Sequence, residues 1–286
     1  MDFLKKTSDG RPSGKREERN NFKRRLGMKK HVLWVAVLAV TAMAVVQGQA
    51  AIVGDWKINE GSGTALADSS GNGNTANAYW AINGWDTTGT KVPANPALGV
   101  PSDGKSISLQ AQEYITLASG SNTLVNNTFG GAFTLFYRFS NDFGASFSVS
   151  KGNLSITTVA EWSNWNWIDV SADGTSIANG VDAFVSNTPK DIAVTWDPST
   201  SLLSVFMDGQ LKQVWSAPVS QSFQNTSDLT IARQDRAGSN KAWIESVRLY
   251  NVALNSTQVQ ALSTVPEPAT MLMLVAGAVL GIYRKK

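Results

Sequence analysis

The chain has 286 residues, and its formal charge of +3 conceals an uneven distribution. Fourteen of the 25 Lys and Arg residues lie in residues 1–50 and at the last three positions, so the stretch from Ala51 to Val265 keeps eleven basic against seventeen acidic residues, a net charge of −6. An acidic middle lacks the phosphate-neutralising surface that nucleic-acid binding needs, and the absence of cysteine excludes thiol catalysis, thiolate zinc sites and disulfide staples.

Residues 1–27 are rich in Lys, Arg and Glu, carry no apolar periodicity and cannot build a core. They read as a disordered extension, either a long n-region or sequence ahead of a true start at Met28. From Met28, Lys29 and Lys30 precede the apolar run Val32 to Val46, then Gly48, Gln49 and Ala50. A positive n-region, an apolar h-region and small residues at −3 and −1 predict a signal peptide over residues 28–50, cut by the export machinery between Ala50 and Ala51. The run is shorter than the ~20 residues of a spanning helix.

Between the apolar ends, about 215 residues are enough for one self-sufficient core. Short apolar or alternating runs recur there, separated by Gly, Asn, Asp and Ser. They predict strands at 51–58, 106–109, 114–117, 132–139, 146–150, 154–159, 167–170, 191–196, 202–207, 229–232 and 242–250. Asp173-Gly174 and Asp208-Gly209 are hairpin signals. One short helix is predicted from Ser256 to Leu262, capped by Asn255 or Ser256. Many short strands with glycine-rich turns imply an antiparallel sandwich.

Three stretches carry a family resemblance. The opening Gly54-Asp55-Trp56-Lys57-Ile58-Asn59-Glu60-Gly61 with Ala67-Asp68-Ser69-Ser70-Gly71-Asn72-Gly73-Asn74 resembles the first strand and turn of LamG-like domains. Asp191 to Asp197 and Leu203 to Gly209 are similar to the family's central strand and hairpin, and Ala242 to Leu254 to its closing strand. The closing strand departs from the family pattern at Ala242, Glu245 and Ser246, and residues 79–100 match no family element. The resemblance implies an all-β, concanavalin A-like antiparallel β-sandwich (jelly roll) over residues 51–264, with the strand of Trp56 beside that of Val247.

The glucanases of that superfamily use paired carboxylates on one strand, spaced as Glu-x-Asp-x-x-Glu. That spacing is absent: Ser163 follows Glu161 where an acid belongs, and Glu113 and Glu245 have no acidic neighbour at the right step. The single histidine, His31, lies in the signal peptide, so the mature chain lacks the commonest general base. The expectation is a non-enzyme. Asp68, Asn72 and Asn74 alternate through a glycine-rich turn. The resemblance makes them candidate ligands of one structural calcium ion, while the same residues also suit a tight loop. The segment EWSNWNWID offers Trp162, Trp165, Trp167 and Asn164 as a candidate glycan-binding set, since indoles stack on sugar rings and amides bond hydroxyls. On a strand, Trp165 and Trp167 share one face and Asn164, Asn166 and Ile168 the other. Trp56, Trp196, Trp215 and Trp243 read as core.

At the C-terminus Val265, Pro266, Glu267 and Pro268 precede the apolar run Ala269 to Tyr283 and the basic Arg284, Lys285 and Lys286. Prolines end the preceding element, the run can enter a bilayer, and the basic cluster holds its end on the cytoplasmic side. Residues 265–286 resemble a PEP-CTERM sorting tail, which implies removal by an exosortase in a Gram-negative bacterium that makes exopolysaccharide. The whole chain is then expected to be a non-catalytic exported module of the cell surface or extracellular matrix. It would bind extracellular polysaccharide or surface glycans and no nucleic acid, and would meet the membrane through its terminal segments alone, the C-terminal one transiently. A protein-interaction module of the envelope and an atypical glycosidase are the alternatives.

Overall fold

The computed structural model describes residues 50–79, 84–93, 105–110, 112–160, 165–218, 221–233 and 240–263. These form two antiparallel sheets of eight strands each. In the first sheet the order is β14 (Gln210–Ser216), β13 (Leu202–Met207), β12 (Lys190–Asp197), β7 (Phe133–Asn141), β16 (Ala242–Tyr250), β5 (Ser106–Leu109) and β4 (Trp85–Asp86). There β1 (Ile52–Trp56) also pairs with β16. The second sheet runs β11 (Thr175–Val185), β10 (Trp165–Ala172), β9 (Leu154–Ala160), β8 (Phe147–Lys151), β15 (Leu229–Arg233), β6 (Tyr114–Ala118), β3 (Ala76–Tyr79) and β2 (Ala65–Leu66). Two short helices complete the described residues, α1 (Thr123–Gly130) and α2 (Ser256–Ser263).

Period-two alternation sends one side of each strand inward. Leu135, Tyr137, Phe139, Val194, Trp196 and Val205 of the first sheet meet Phe147, Val149, Ile156, Ile168, Val170 and Ile231 of the second in one buried cluster. Rings from opposite sheets touch edge to face, with Phe139 and Phe147 at 4.9 Å and Tyr137 and Phe147 at 6.2 Å. The first and last strands do lie together: Asp55 faces Arg248 and Trp56 faces Val247. A buried ion pair ties them, with Arg248 Nε 2.7 Å from Asp55 Oδ1. Burial alone would lower the Arg248 pKa; its hydrogen bond and ion pair with Asp55 outweigh that and raise it.

Both hairpin signals form two-residue turns with left-handed backbone, Asp173 and Gly174 between β10 and β11, Asp208 and Gly209 between β13 and β14. Asn255 caps α2 reciprocally: its Oδ1 accepts from Gln258 N, and Asn255 N donates to Gln258 Oε1. This helix covers the outer face of the first sheet, where Val259 and Leu254 bury Phe136, Ala193, Phe206 and Tyr250. Further along that face Arg138 bridges Asp191 at 2.7 Å and Glu245 at 3.0 Å.

The four tryptophans expected in the core divide. Trp56 and Trp196 are fully buried in it, and Trp215 packs against its border. Trp243 is buried on the outer face of the first sheet instead, opposite Ser140, with the ammonium groups of Lys91 and Lys241 5.5 and 5.3 Å from its ring centroid. Elements beyond those expected are β2, β3, β4, β11, β14 and α1. The stretch 79–100, matched to no family element, supplies β4, whose Trp85 packs on the core.

Candidate functional site

Among the described residues, the outer face of the second sheet carries no helix. Its side chains follow from register. One row crosses six strands as Asn77, Thr116, Thr230, Ser150, Ser155 and Ser171, and ends on Ser176 of β11. The row beside it reads Tyr79, Tyr114, Ala232, Ser148, Thr157 and Asp169. Hydroxyls on adjacent strands meet, with Ser150 Oγ and Thr230 Oγ1 3.0 Å apart. At one end Tyr79 stacks on Tyr114, ring centroids 4.9 Å apart and planes inclined by 17°.

At the other end stand Trp165 and Trp167. Trp165 is 53% exposed and faces Val185, itself 49% exposed; Trp167 is half-buried beside Val159. The alternation that turns both indoles outward is locked from beneath. Asn166 is fully buried, accepts from Asn141 Nδ2 at 2.9 Å and donates to Ser186 Oγ at 3.0 Å. Asn166 and Ile168 therefore take the inner face, as the strand reading expects. Trp162 and Asn164 of the same expected set, and Glu161, lie outside the described residues.

From Tyr114 on β6 to Asp169 on β10 is four strand spacings, about 19 Å. Such a surface offers aromatic rings at both ends and, between them, the half-buried hydroxyls of Thr116, Thr230, Ser150, Ser155, Thr157 and Ser171, while Ser148 is buried. The two rows carry one charge, Asp169, whose Oδ1 accepts from Gly180 N at 2.7 Å. Sequence reasoning missed the hydroxyl rows. Their trace is the alternation of Ser148, Ser150, Ser155 and Thr157 through β8 and β9.

Asp68, Asn72 and Asn74 are brought together beside β1. Asp68 Oδ1 accepts from Asp55 N at 2.9 Å and Ser70 N at 2.8 Å, and Oδ2 accepts from Ser70 Oγ at 2.8 Å and Asn74 N at 2.9 Å. Burial alone would raise the Asp68 pKa; these donors outweigh it and hold the carboxyl below its ordinary value. Asn72 and Asn74 turn their Nδ2 groups to the Val53 carbonyl, at 3.0 and 2.7 Å, so amide donors rather than oxygens face β1. Among the described residues no three His, Cys, Asp or Glu side chains are grouped so as to hold a metal.

The remaining acids considered for chemistry are buried and engaged. Glu113 Oε2 accepts from Gln110 N at 2.7 Å, and Glu245 shares Arg138 with Asp191. Burial pushes the Asp191 pKa up to about 6 against the pull of Arg138.

At the N-terminal end of the described residues Ala51 N donates to Asn251 Oδ1 at 3.2 Å and β1 begins at Ile52. Val265, Pro266, Glu267 and Pro268 lie outside the described residues.

By sequence, no curated protein matches the chain. By structure it is similar to domain 4 of the GH43 extracellular arabinanase AbnA from Geobacillus stearothermophilus, solved in complex with arabinotriose. The TM-score is 0.51 at 15% identity, over 75% of this chain and 99% of that one. The receptor-binding domain of botulinum neurotoxin C/D mosaic serotype is similar at a TM-score of 0.51 and 10% identity, over 74% of this chain and 51% of that one. The binding domain of botulinum neurotoxin DC, solved with rat synaptotagmin II, has a TM-score of 0.48 at 13% identity, over 74% of this chain and 51% of that one. The chain thus spans about half the length of the toxin domains it matches. Residues 264–286 match the PEP-CTERM protein-sorting motif. The chain is an exported protein that carries a PEP-CTERM sorting motif at its C-terminus, after an antiparallel β-sandwich.

Proposed function

We propose that the mature protein is a non-catalytic module of the cell surface or extracellular matrix that binds polysaccharide through the outer face of its second sheet. The observation that carries this reading is the pair of hydroxyl-rich rows held between Tyr79 and Tyr114 at one end and Trp165 and Trp167 at the other. Sugar rings present apolar faces and hydroxyl edges, and this surface offers the complement of both. The arabinanase domain of like fold, solved in complex with arabinotriose, supports the reading. The non-catalytic part is supported by the lone histidine at position 31 and by the burial of Glu113, Asp191 and Glu245. Calcium at Asp68, Asn72 and Asn74 stays outside this proposal, because four protein donors occupy the Asp68 oxygens. The exposed Trp165 and Val185 favour a second reading, protein docking at that end of the sheet.

A glycan array with the purified domain tests the proposal. Binding to polysaccharide that is lost in Trp165→Ala, with unfolding unchanged, is the expected result; a domain that retains no glycan and captures protein ligands through Trp165 replaces it with the second reading. We propose further that export removes residues 28–50 and that an exosortase of a Gram-negative host removes the tail. An intact mass of the surface form that still includes Met271 to Lys286 makes the tail an anchor instead.

A further inference from the structure

Helix α2, the last described element before the tail, and the candidate glycan face lie on opposite sides of the sandwich. Helix α2 ends at Ser263 on the outer face of the first sheet. Its last turn packs on the β13–β14 turn so closely that a Cβ added at Gly209 would fall 2.9 Å from Gln260 Cα and 3.2 Å from Ser263 Cβ. The apolar run of the sorting tail begins at Ala269, six residues on, so at full extension the end of α2 stands no more than about 20 Å from a bilayer that holds the run.

Along the same edge lies an apolar strip. Leu211 is opposite Phe206, Val214 opposite Ser204 and Leu202 opposite Ser216, which puts all three on the face that carries α2. They are 49%, 45% and 36% exposed. Of the charges near the strip, Lys212 is paired with Asp182 at 2.7 Å and Lys190 with Asp208 at 2.6 Å, while at the Leu202 end the Asp197 carboxylate, opposite Leu202, accepts from Ser199 N and Oγ. No residue of α2 is charged. A neutral helix beside the exposed aliphatic side chains of Leu211 and Val214 suits the interface of a bilayer, with the Asp197 carboxylate confined to the far, Leu202 end of the strip.

We infer that, while the tail is inserted, the Leu202, Leu211 and Val214 strip rests on the lipid surface and the second sheet faces away from it. The inference rests on the sorting reading of the tail. With the sheets about 10 Å apart, the hydroxyl rows then stand clear of the headgroups and open to the polymer outside.

The absence of cysteine gives a clean test. The full chain, made in a host without exosortase so that the tail stays, carries Leu211→Cys or Val214→Cys on the strip, or Thr157→Cys on the second sheet. Each is labelled with an environment-sensitive fluorophore and reconstituted in phosphatidylethanolamine and phosphatidylglycerol vesicles, some with nitroxide-bearing headgroups. Labels at 211 and 214 are expected to shift to the blue and be quenched several-fold more than the label at 157, and proteolytic release of the tail is expected to abolish the difference. Equal quenching at 157 and 211 overturns the orientation. A blue shift at 211 without quenching, with energy transfer between labelled copies, assigns the strip to a second copy and overturns it too. Protein that fails to float with the vesicles overturns the insertion on which the inference rests, and is told apart by the flotation itself.

Discussion

Replacing Arg248 by Met tests whether the pairing of first and last strands closes the sandwich. Asp55 and Arg248 are register partners, both buried, joined at 2.7 Å through Nε and at 3.4 Å through a terminal guanidinium nitrogen. Removing the cation leaves a carboxylate in a buried site without its partner, a loss of about 3–5 kcal/mol. Against a domain stability of ~5–15 kcal/mol that is a large fraction. For a domain of this size, each kcal/mol moves Tm by about 2–4 °C, so the expected drop is roughly 6–20 °C. The double variant Asp55→Asn with Arg248→Met removes both charges and should recover part of the loss, giving a coupling well above that of distant sites. Thermal unfolding followed by circular dichroism measures both. Additive losses, or a drop too small to resolve in Arg248→Met, refute the claim that the pair holds β1 to β16.

Three further expectations follow from groups of the fold. Lys151 is buried, and its Nζ donates to Asn126 Oδ1, to the Asn225 carbonyl and side chain, and to the Ser227 carbonyl. Lys151→Met strands those acceptors and should cost on the order of 3 kcal/mol in urea unfolding, whereas an unchanged midpoint would show that water replaces the ammonium. Asp191, raised from 3.8 to about 6, binds a proton more tightly folded than unfolded. Its contribution is therefore complete below pH of about 3.8 and lost as pH rises through about 6. Asp191→Asn should flatten the fall in Tm across that window, and parallel curves for variant and parent would contradict it. Excess calcium should leave Tm unchanged, because the Asp68 lone pairs are occupied. A calcium-dependent rise of several degrees, as binding to the native state at a hundred times Kd would give through about 2.7 kcal/mol, would mean that the turn opens to take the ion.

Much of the fold was legible because its strands obey local rules. β7 alternates Phe133, Leu135, Tyr137 and Phe139 against the other face, and both Asp-Gly turns have the backbone such pairs favour. β11 was not legible, because its register with β10 shifts and Gly180 and Asp182 have positive φ, so bulges erase the period of two. α1 reads Thr-Leu-Val-Asn-Asn-Thr-Phe-Gly, mostly poor helix formers, and is held by Asn122, whose side chain accepts from Val125 N, and by burial of Val125 and Phe129. β2 and β4 have two residues each, too few for any periodicity. In the candidate site, the burial of Asn166 beneath sets the outward direction of Trp165 and Trp167, and their shared face followed from strand alternation. The hydroxyl rows did not, since Thr116, Thr230, Ser150, Ser155 and Ser171 come from five strands that register, not sequence, sets side by side.

Those rows have a consequence for the water in which the protein works. With Asp169 as their one charge, they give dissolved ions little to screen. Neutral polymer held by stacking and hydroxyl bonds should keep its grip from dilute to concentrated salt, unlike a coat that adheres through opposite charges. A film built on such contacts would survive a change of ionic strength that loosens an electrostatic one.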